Sequence, residues 1–409
     1  MFRCIALVLT VVLIPFAARA DDWPQLLGPT RNGVSSEKGL AASWANDGPP
    51  IVWQRDVGEG FSGPVIAGER LILFHRVGDK EVIECLNAAT GKPLWQHSYP
   101  TEYSDSLGKG DGPRSTPVIA AGRVVTLGAE GVLTCLDLEK GTQLFSRPLN
   151  TEYKVPPSYF GVGTSPLVDG GLILVNVGGR KVGIAAFNLT DGKEAWHATA
   201  DGASYSSPVL ATTGSERRAV FFTRFGVELL DAKTGAVHYR KRWRARYDAS
   251  VNAATPLVLG DHLFFTACYE TGALLLKLQP DGTAKEIWQG EDVMDCHYNT
   301  PVYHDGHLYG FHGRQERSPD FRCVDLATKK VAWEKQRYGC GSLILADGKL
   351  VVLTERGDLV LVEATPAAYR ERARAHGFDA APCRAQIALA GGRLYGRDQK
   401  KLICFNLVK

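Results

Sequence analysis

Apolar residues along this chain fall in short runs bounded by turn residues, and one order of runs returns repeatedly from Pro64 onward. A Ser/Thr-Pro-apolar opening leads to a short turn, an apolar strand, a second strand ending in Asp or Asn, a turn and an aromatic. The clearest copy runs from Ser62 to Pro100, as SGPVIAGERLILFHR and then EVIECLNAATGKPLWQHSYP. The opening recurs at Pro117, Pro166, Pro208, Pro256 and Pro301, with degenerate copies at Leu343 (SLILADGKL) and Ile387 (IALAGGRL). A period of roughly 40–50 residues holding four short strands is the pattern of β-propeller blades. It predicts an all-β chain with one eight-bladed propeller over residues 49–409.

The last copy, Ile387 to Val408, has three strand-like segments and lacks a fourth. Upstream of the first copy, Pro49 to Val57 (PPIVWQRDV) matches the outer strand KPLWQHSY in the placing of its Trp. The segment Ile51–Gln54 is therefore expected to complete the last blade and close the ring, which removes exposed strand edges. Residues 21–48 are punctuated by Pro, Gly and Asn, and read as a leader extended over the surface.

Before each outer strand an Asp or Asn opens a turn that ends in Gly, as in Asn87 to Gly91, Asp137 to Gly141, Asn188 to Gly192 and Asp231 to Gly235. The side-chain oxygen can bond the local backbone, and Gly supplies positive φ. The aromatics that follow include Trp95, Trp196, Trp288 and Trp333, with Trp53 in the closing strand. Each is expected to bury its ring against the next blade, a structural role. The seventh copy departs. After Val362 it reads EATPAAYRERARAHGF, helix-like and basic, and predicts a helical turn on the rim followed by a poor outer strand.

The N-terminus changes the expected location. Arg3, an apolar stretch from Ile5 to Phe16 and Ala18-Arg19-Ala20 form the three parts of a secretory signal. Cleavage near Ala20 would deliver a periplasmic or secreted product, and no later segment is long and apolar enough to span a bilayer. A net charge of +3 gives no reason to expect nucleic acid, and nothing in the pattern calls for more than a monomer.

Eight cysteines follow the signal. Cys85, Cys135, Cys323 and Cys404 occupy one slot in four repeats, too far apart for disulfides, and are expected to be reduced, buried fillers. Cys296, Cys340 and Cys383 each precede a strand opening, which leaves room for one bridge among them.

Residues just ahead of each first strand should ring the mouth of the central channel. Arg114, Tyr159, Tyr205, Asn252, His297, Asn299 and Arg384 are the candidate ligand-binding set, accompanied by Phe61, Phe160, Tyr298 and Tyr338. Arginines suit carboxylates and tyrosines suit ring contacts. His297 is a weak candidate for proton transfer, and no catalytic set is assigned. His297, His304, His307 and His312 are spread over both ends of a strand and predict no metal site. The basic run Tyr239 to Tyr247 (YRKRWRARY) coincides with an outer strand and reads as a solvated edge.

The run Ala88 to Trp95, A-x-T-G-K-x-x-W, resembles the tryptophan-docking motif of the quinoprotein propellers. That superfamily includes pyrroloquinoline quinone (PQQ) dehydrogenases and the outer-membrane assembly lipoprotein BamB. The phrases WPQLLGPTRNGVS, GEGFSGPVIAG, SYSSPV, HYNTPV and LVEATPAAYRE resemble exported bacterial propellers of a BamB-like group. The resemblance implies a quinoprotein-like propeller over nearly the whole mature chain. The adjacent cysteines of quinoprotein alcohol dehydrogenases are absent, their calcium and catalytic carboxylates do not map here, and BamB's lipobox is missing. The expected function is a non-catalytic exported scaffold binding a protein, peptide or envelope-polymer partner, with no cofactor required. The alternatives are a dehydrogenase using PQQ and calcium on an alcohol or sugar, and a carbohydrate-binding propeller.

Overall fold

The protein is described by a computed structural model over residues 22–408 apart from 109. The expected signal segment lies outside the described residues. Eight sheets follow one another around a closed ring. Blade 1 spans Val65 to Pro100, and blades 2 to 7 begin at Val118, Leu167, Val209, Leu257, Val302 and Gly341. Blade 8 holds Ala388–Ala390, Arg393–Arg397 and Lys401–Asn406, and its outer strand is Ile51–Asp56 from the N-terminal side of the chain. The register sets Trp53 opposite Cys404 and Asp56 opposite Lys401. The ring is thus closed by hydrogen bonds between the two ends of the propeller, as the missing fourth strand implied.

One irregularity recurs in the outer strand pair of all eight blades: the register shifts by a residue immediately before the docking position. A β-bulge leaves one residue unpaired and re-aims the next. The unpaired residues include Val52, Leu94, Leu144 and Ile287, which accounts for four of the exposed large apolar side chains. The re-aimed residue is the aromatic. Trp53 Nε1 donates to the Ala88 carbonyl of blade 1, Trp95 to Leu138 of blade 2, and Trp333 to Thr365 of blade 7. The rings of Trp53 and Trp95 also lie over the turn glycine of the neighbouring blade. A Cβ on Gly91 would meet Trp53 at 2.7 Å, and one on Gly141 would meet Trp95 at 2.5 Å. These turns need glycine twice over, for a φ near +69° and +68° and for the close approach of the ring.

The shared cysteine slot has a packing reason. Cys85, Cys135, Cys323 and Cys404 stand directly across from Trp95, Phe145, Trp333 and Trp53. A small apolar side chain beneath a large ring keeps the layer thickness constant. Blade 7 inverts the pair, with Leu361 opposite Ala373. All eight described cysteines are buried and free, so the bridge allowed among Cys296, Cys340 and Cys383 is not formed.

A second repeated device explains the Ser/Thr-Pro opening. The Thr116 hydroxyl accepts the Gly63 N–H, Ser165 accepts that of Thr116, Ser207 that of Ser165, and Thr300 that of Thr255. Each hydroxyl belongs to the next blade, so the openings are hydrogen-bonded to one another around the channel. Proline follows because its missing N–H leaves nothing unpaired there.

Two expectations are corrected. The seventh repeat carries no helix: Glu371–His376 is a regular outer strand whose alternate residues Ala373 and Ala375 are buried. The alternation of Ala with Arg and Glu is a strand period, and it overrides the helix propensity of those residues. The leader is not a surface ribbon either. Trp23, Leu26, Leu27 and Leu40 are buried, and Trp23 pairs with Ile66 of blade 1. Pro24 accepts from Ile119 of blade 2, Arg31 donates to Pro166 of blade 3, and Val34–Ser35 adds to blade 7. The Gly39 and Leu40 amides bond Asp347, in the turn after the inner strand of blade 7. The leader therefore crosses one face of the ring and closes that end of the channel.

Candidate functional site

With one end closed by the leader, the channel becomes a cup. Leu26 and Leu27 form its floor, and its volume is about 410 Å³. It opens on the face that carries the loops joining one blade to the next. Its wall carries the rings of Phe61, Phe160, Tyr205, Tyr269 and Tyr298 beside serine and threonine hydroxyls and three arginines. Tyr159, half exposed at the mouth, packs on Phe160, whose ring meets Tyr205 at 5.6 Å. Tyr205 is held in place because its hydroxyl accepts the Phe160 N–H at 2.9 Å.

Five of the seven residues expected at the channel mouth line this cup: Arg114, Tyr159, Tyr205, His297 and Arg384. Asn252 and Asn299 do not. Both are buried in the ring, where Asn252 donates to the Thr223 carbonyl and Asn299 to that of Gly341. Successive residues of an extended segment point to opposite sides, so only some of the positions ahead of a strand can face the channel. Tyr338 is likewise turned outward into an aromatic cluster with Phe311, Phe321 and Tyr369.

The arginines are not bare charges. Arg114 pairs with the buried Asp105 at 2.8 Å, and its guanidinium lies within 6 Å of the rings of Phe61, Tyr103 and Phe160. Arg384 pairs with Glu355 at 2.7 Å and also lies 5.6 Å from the Phe61 ring centroid. Arg314 covers Tyr269 at 4.6 Å and faces Glu316 at 3.3 Å. Each cation is matched by a carboxylate and lies against an aromatic ring, so the cup is apolar and nearly neutral while its walls are rigid.

His297 has both nitrogens engaged. Gln315 donates its amide to Glu316, which turns its oxygen toward His297 Nδ1 and fixes the proton there. Nε2 then accepts from the Tyr269 hydroxyl at 2.8 Å. Burial lowers the imidazole pKa and raises that of Tyr269, so the pair keeps the proton on the tyrosine. The nitrogen that would accept a substrate proton is already occupied.

Tyr269 was not legible as a site residue. It and Glu270 form a tight turn between the middle strands of blade 5, with φ of +65° and +61°. Such turns ordinarily take Asn-Gly, and side chains larger than glycine cost about 1–2 kcal/mol per residue there. Strain of this kind concentrates at binding sites, and here it presents a tyrosine to the cup wall. A Tyr-Glu pair where the repeat calls for turn residues was the available signal. Among the described residues no group of His, Cys, Asp and Glu could hold a metal ion.

Eight blades, several joined by tryptophan docking, around a central cup closed at one end define a PQQ-like propeller protein. Residues 78–335 match the model of the family described as outer membrane protein assembly factor BamB, and the chain belongs to that family. Among solved structures, BamB from Moraxella catarrhalis is similar with a TM-score of 0.63 at 15% identity, over 87% of this chain and 97% of that one. The quinohemoprotein alcohol dehydrogenase from Comamonas testosteroni gives 0.68 at 13% identity, over 97% and 82%. A europium-containing methanol dehydrogenase gives 0.69 at 10% identity, over 95% and 98%. At these identities the likeness is one of fold. No curated protein sequence matches the chain.

Proposed function

We propose that this protein is an exported, non-catalytic scaffold that binds a partner protein or peptide by taking an apolar side chain into the cup. The observation that carries the reading is the combination of aromatic walls with cations that are already paired. A cavity of about 410 Å³ suits one or two large side chains, and aromatic surface interspersed with polar groups that are fixed in place is what such anchors require. The family model for an outer membrane assembly factor and the BamB structure support a protein partner.

The similar dehydrogenase structures raise PQQ and calcium as the competing reading. The residues of the cup do not fit that pair. PQQ is a tricarboxylate, and the charges of Arg114 and Arg384 are already balanced by Asp105 and Glu355. Calcium takes six to eight oxygen ligands, including carboxylates, and the carboxylates near the cup are committed to arginines. Purified protein mixed with PQQ and calcium should give no saturable absorbance change and no alcohol-dependent dye reduction. Stoichiometric PQQ binding with dye reduction would replace the scaffold by a dehydrogenase.

A further inference from the structure

A second cleft adjoins the cup. It lies over blades 5 and 6 and shares the cup's wall residues Ala249, Tyr269 and Arg314. The strained Tyr269-Glu270 turn therefore forms the partition between two cavities. The chemistry changes across it. Beyond Arg314 the cleft presents Arg317 and Arg337, both exposed and, among the described residues, without a side-chain partner. These contrast with the cations of the cup, which are all paired.

The carboxylates lining the cleft, Glu270, Asp295 and Asp320, balance its charge overall, but none lies within ion-pairing distance of Arg317 or Arg337. Asp320 accepts the backbone N–H of Arg337 at 2.7 Å, and Glu270 accepts from the Tyr247 hydroxyl. Asp295 is largely buried, which pushes its carboxyl up to about 6. His312 is spoken for at both nitrogens, by the Asp295 N–H and by Asp292. Arg317 and Arg337 are the groups left to meet an incoming anion.

We infer that cup and cleft form one bipartite site for an extended peptide segment, with a bulky apolar side chain in the cup and an acidic side chain at Arg317 and Arg337. This rests on the scaffold reading of the cup and names the chemistry of its partner. An extended chain advances about 3.3 Å per residue and alternates its side chains, so residues spaced by two share a direction. A segment of the form aromatic-x-acidic suits adjacent cavities separated by one wall.

The test uses two labelled peptides, Trp-Gly-Asp-Glu and Trp-Gly-Asn-Gln, titrated by fluorescence polarisation. The acidic peptide should bind the wild-type chain about five- to tenfold more tightly, the range expected of two exposed charge pairs. That preference should shrink as salt is raised. It should vanish in Arg317→Ala/Arg337→Ala, with affinity for the neutral peptide unchanged, which also shows that the variant is folded. Equal affinity for both peptides in the wild type, or a preference that persists in the double variant, overturns the bipartite site while leaving the cup reading intact. Binding of neither peptide overturns both.

Discussion

On one face of the ring, turns of similar chemistry recur from blade to blade, with Asp or Asn and then Gly beneath a ring of the preceding blade, as at Asn87 to Gly91 and Asp137 to Gly141. On the other face, beyond the hydroxyl bonds of the Ser/Thr-Pro openings, the loops differ from blade to blade. The connections between blades run from 336–340 at the shortest to 149–166 at the longest, and together with the turns between middle strands they carry the paired arginines, the strained Tyr269-Glu270 turn and both cavities. The difference separates two tasks. The turn face holds the ring together by interchangeable contacts, and the loop face is free to vary because no docking contact depends on it.

The largest effect should come from breaking what both faces share. Deleting residues 49–57 removes the outer strand of blade 8 and the Trp53 contact, opening the ring. It should cost on the order of 5 kcal/mol, comparable to the whole stability of an ordinary domain, and thermal unfolding or failure to purify a monomer would register it.

A paired substitution isolates docking on the turn face. Gly122 and Gly141 lie in two turns of blade 2 with φ of +70° and +68°, but only Gly141 has a ring over it. Gly122→Ala should cost about 1 kcal/mol for the backbone alone. Gly141→Ala should cost about 3 kcal/mol, because the Trp95 ring must also be displaced. Equal losses in urea unfolding would show that the rings are not close-packed on their glycines.

On the loop face the expected effects are smaller and depend on pH. His75 accepts the Gly58 N–H, and burial, with Arg397 and Arg55 nearby, lowers its pKa to about 3. Its folded value lies below its unfolded one, so its contribution is present above pH 6.5 and is lost as pH falls toward 3. The loss should approach about 1.4 kcal/mol per pH unit from this residue. Glu228 acts in the opposite sense, since burial raises it to about 7 and protonation below that pH favours the folded state. The net curve is therefore flatter than His75 alone would give. His75→Asn, which keeps an acceptor for Gly58, should remove the acid-sensitive part, leaving a chain more stable than the wild type near pH 5. Parallel stability curves from pH 7 to 4.5 would refute the assignment.

The smallest effect has the opposite sign. Glu270→Gly relieves a positive-φ position in an exposed turn and should stabilise the fold by up to about 1 kcal/mol. A loss of stability would mean that the turn is not strained.

The same division explains what could be read from the sequence. The repeat period, the missing fourth strand and the docking aromatics were legible because each is a local pattern copied many times. Ring closure by Ile51–Asp56 needed only one extra match, Trp53. The seventh outer strand was misread because Glu371 to His376 is built of helix-forming residues. Its decisive feature is the alternation that buries Ala373 and Ala375. The leader was misread because a few apolar residues between turns carry no period, although Trp23, Leu26 and Leu27 are the kind of residues that seldom stay exposed. The cup was legible in part. Arg114, Arg384, Tyr159 and Tyr205 were found, whereas Arg314 and Tyr269 lie in turns between middle strands. Of the arginine partners only Glu355 comes from a loop other than its arginine's own.

The central claim is that the cup takes an apolar side chain, and calorimetric titration with N-acetyl-tryptophanamide tests it most directly. The account predicts one site per chain in the wild type, and loss of that site in Ala253→Trp, which places an indole into the cup from its own wall. The melting temperature of the variant should stay close to that of the wild type, because Ala253 is only partly buried. No binding to the wild type, or equal binding to Ala253→Trp, would contradict it.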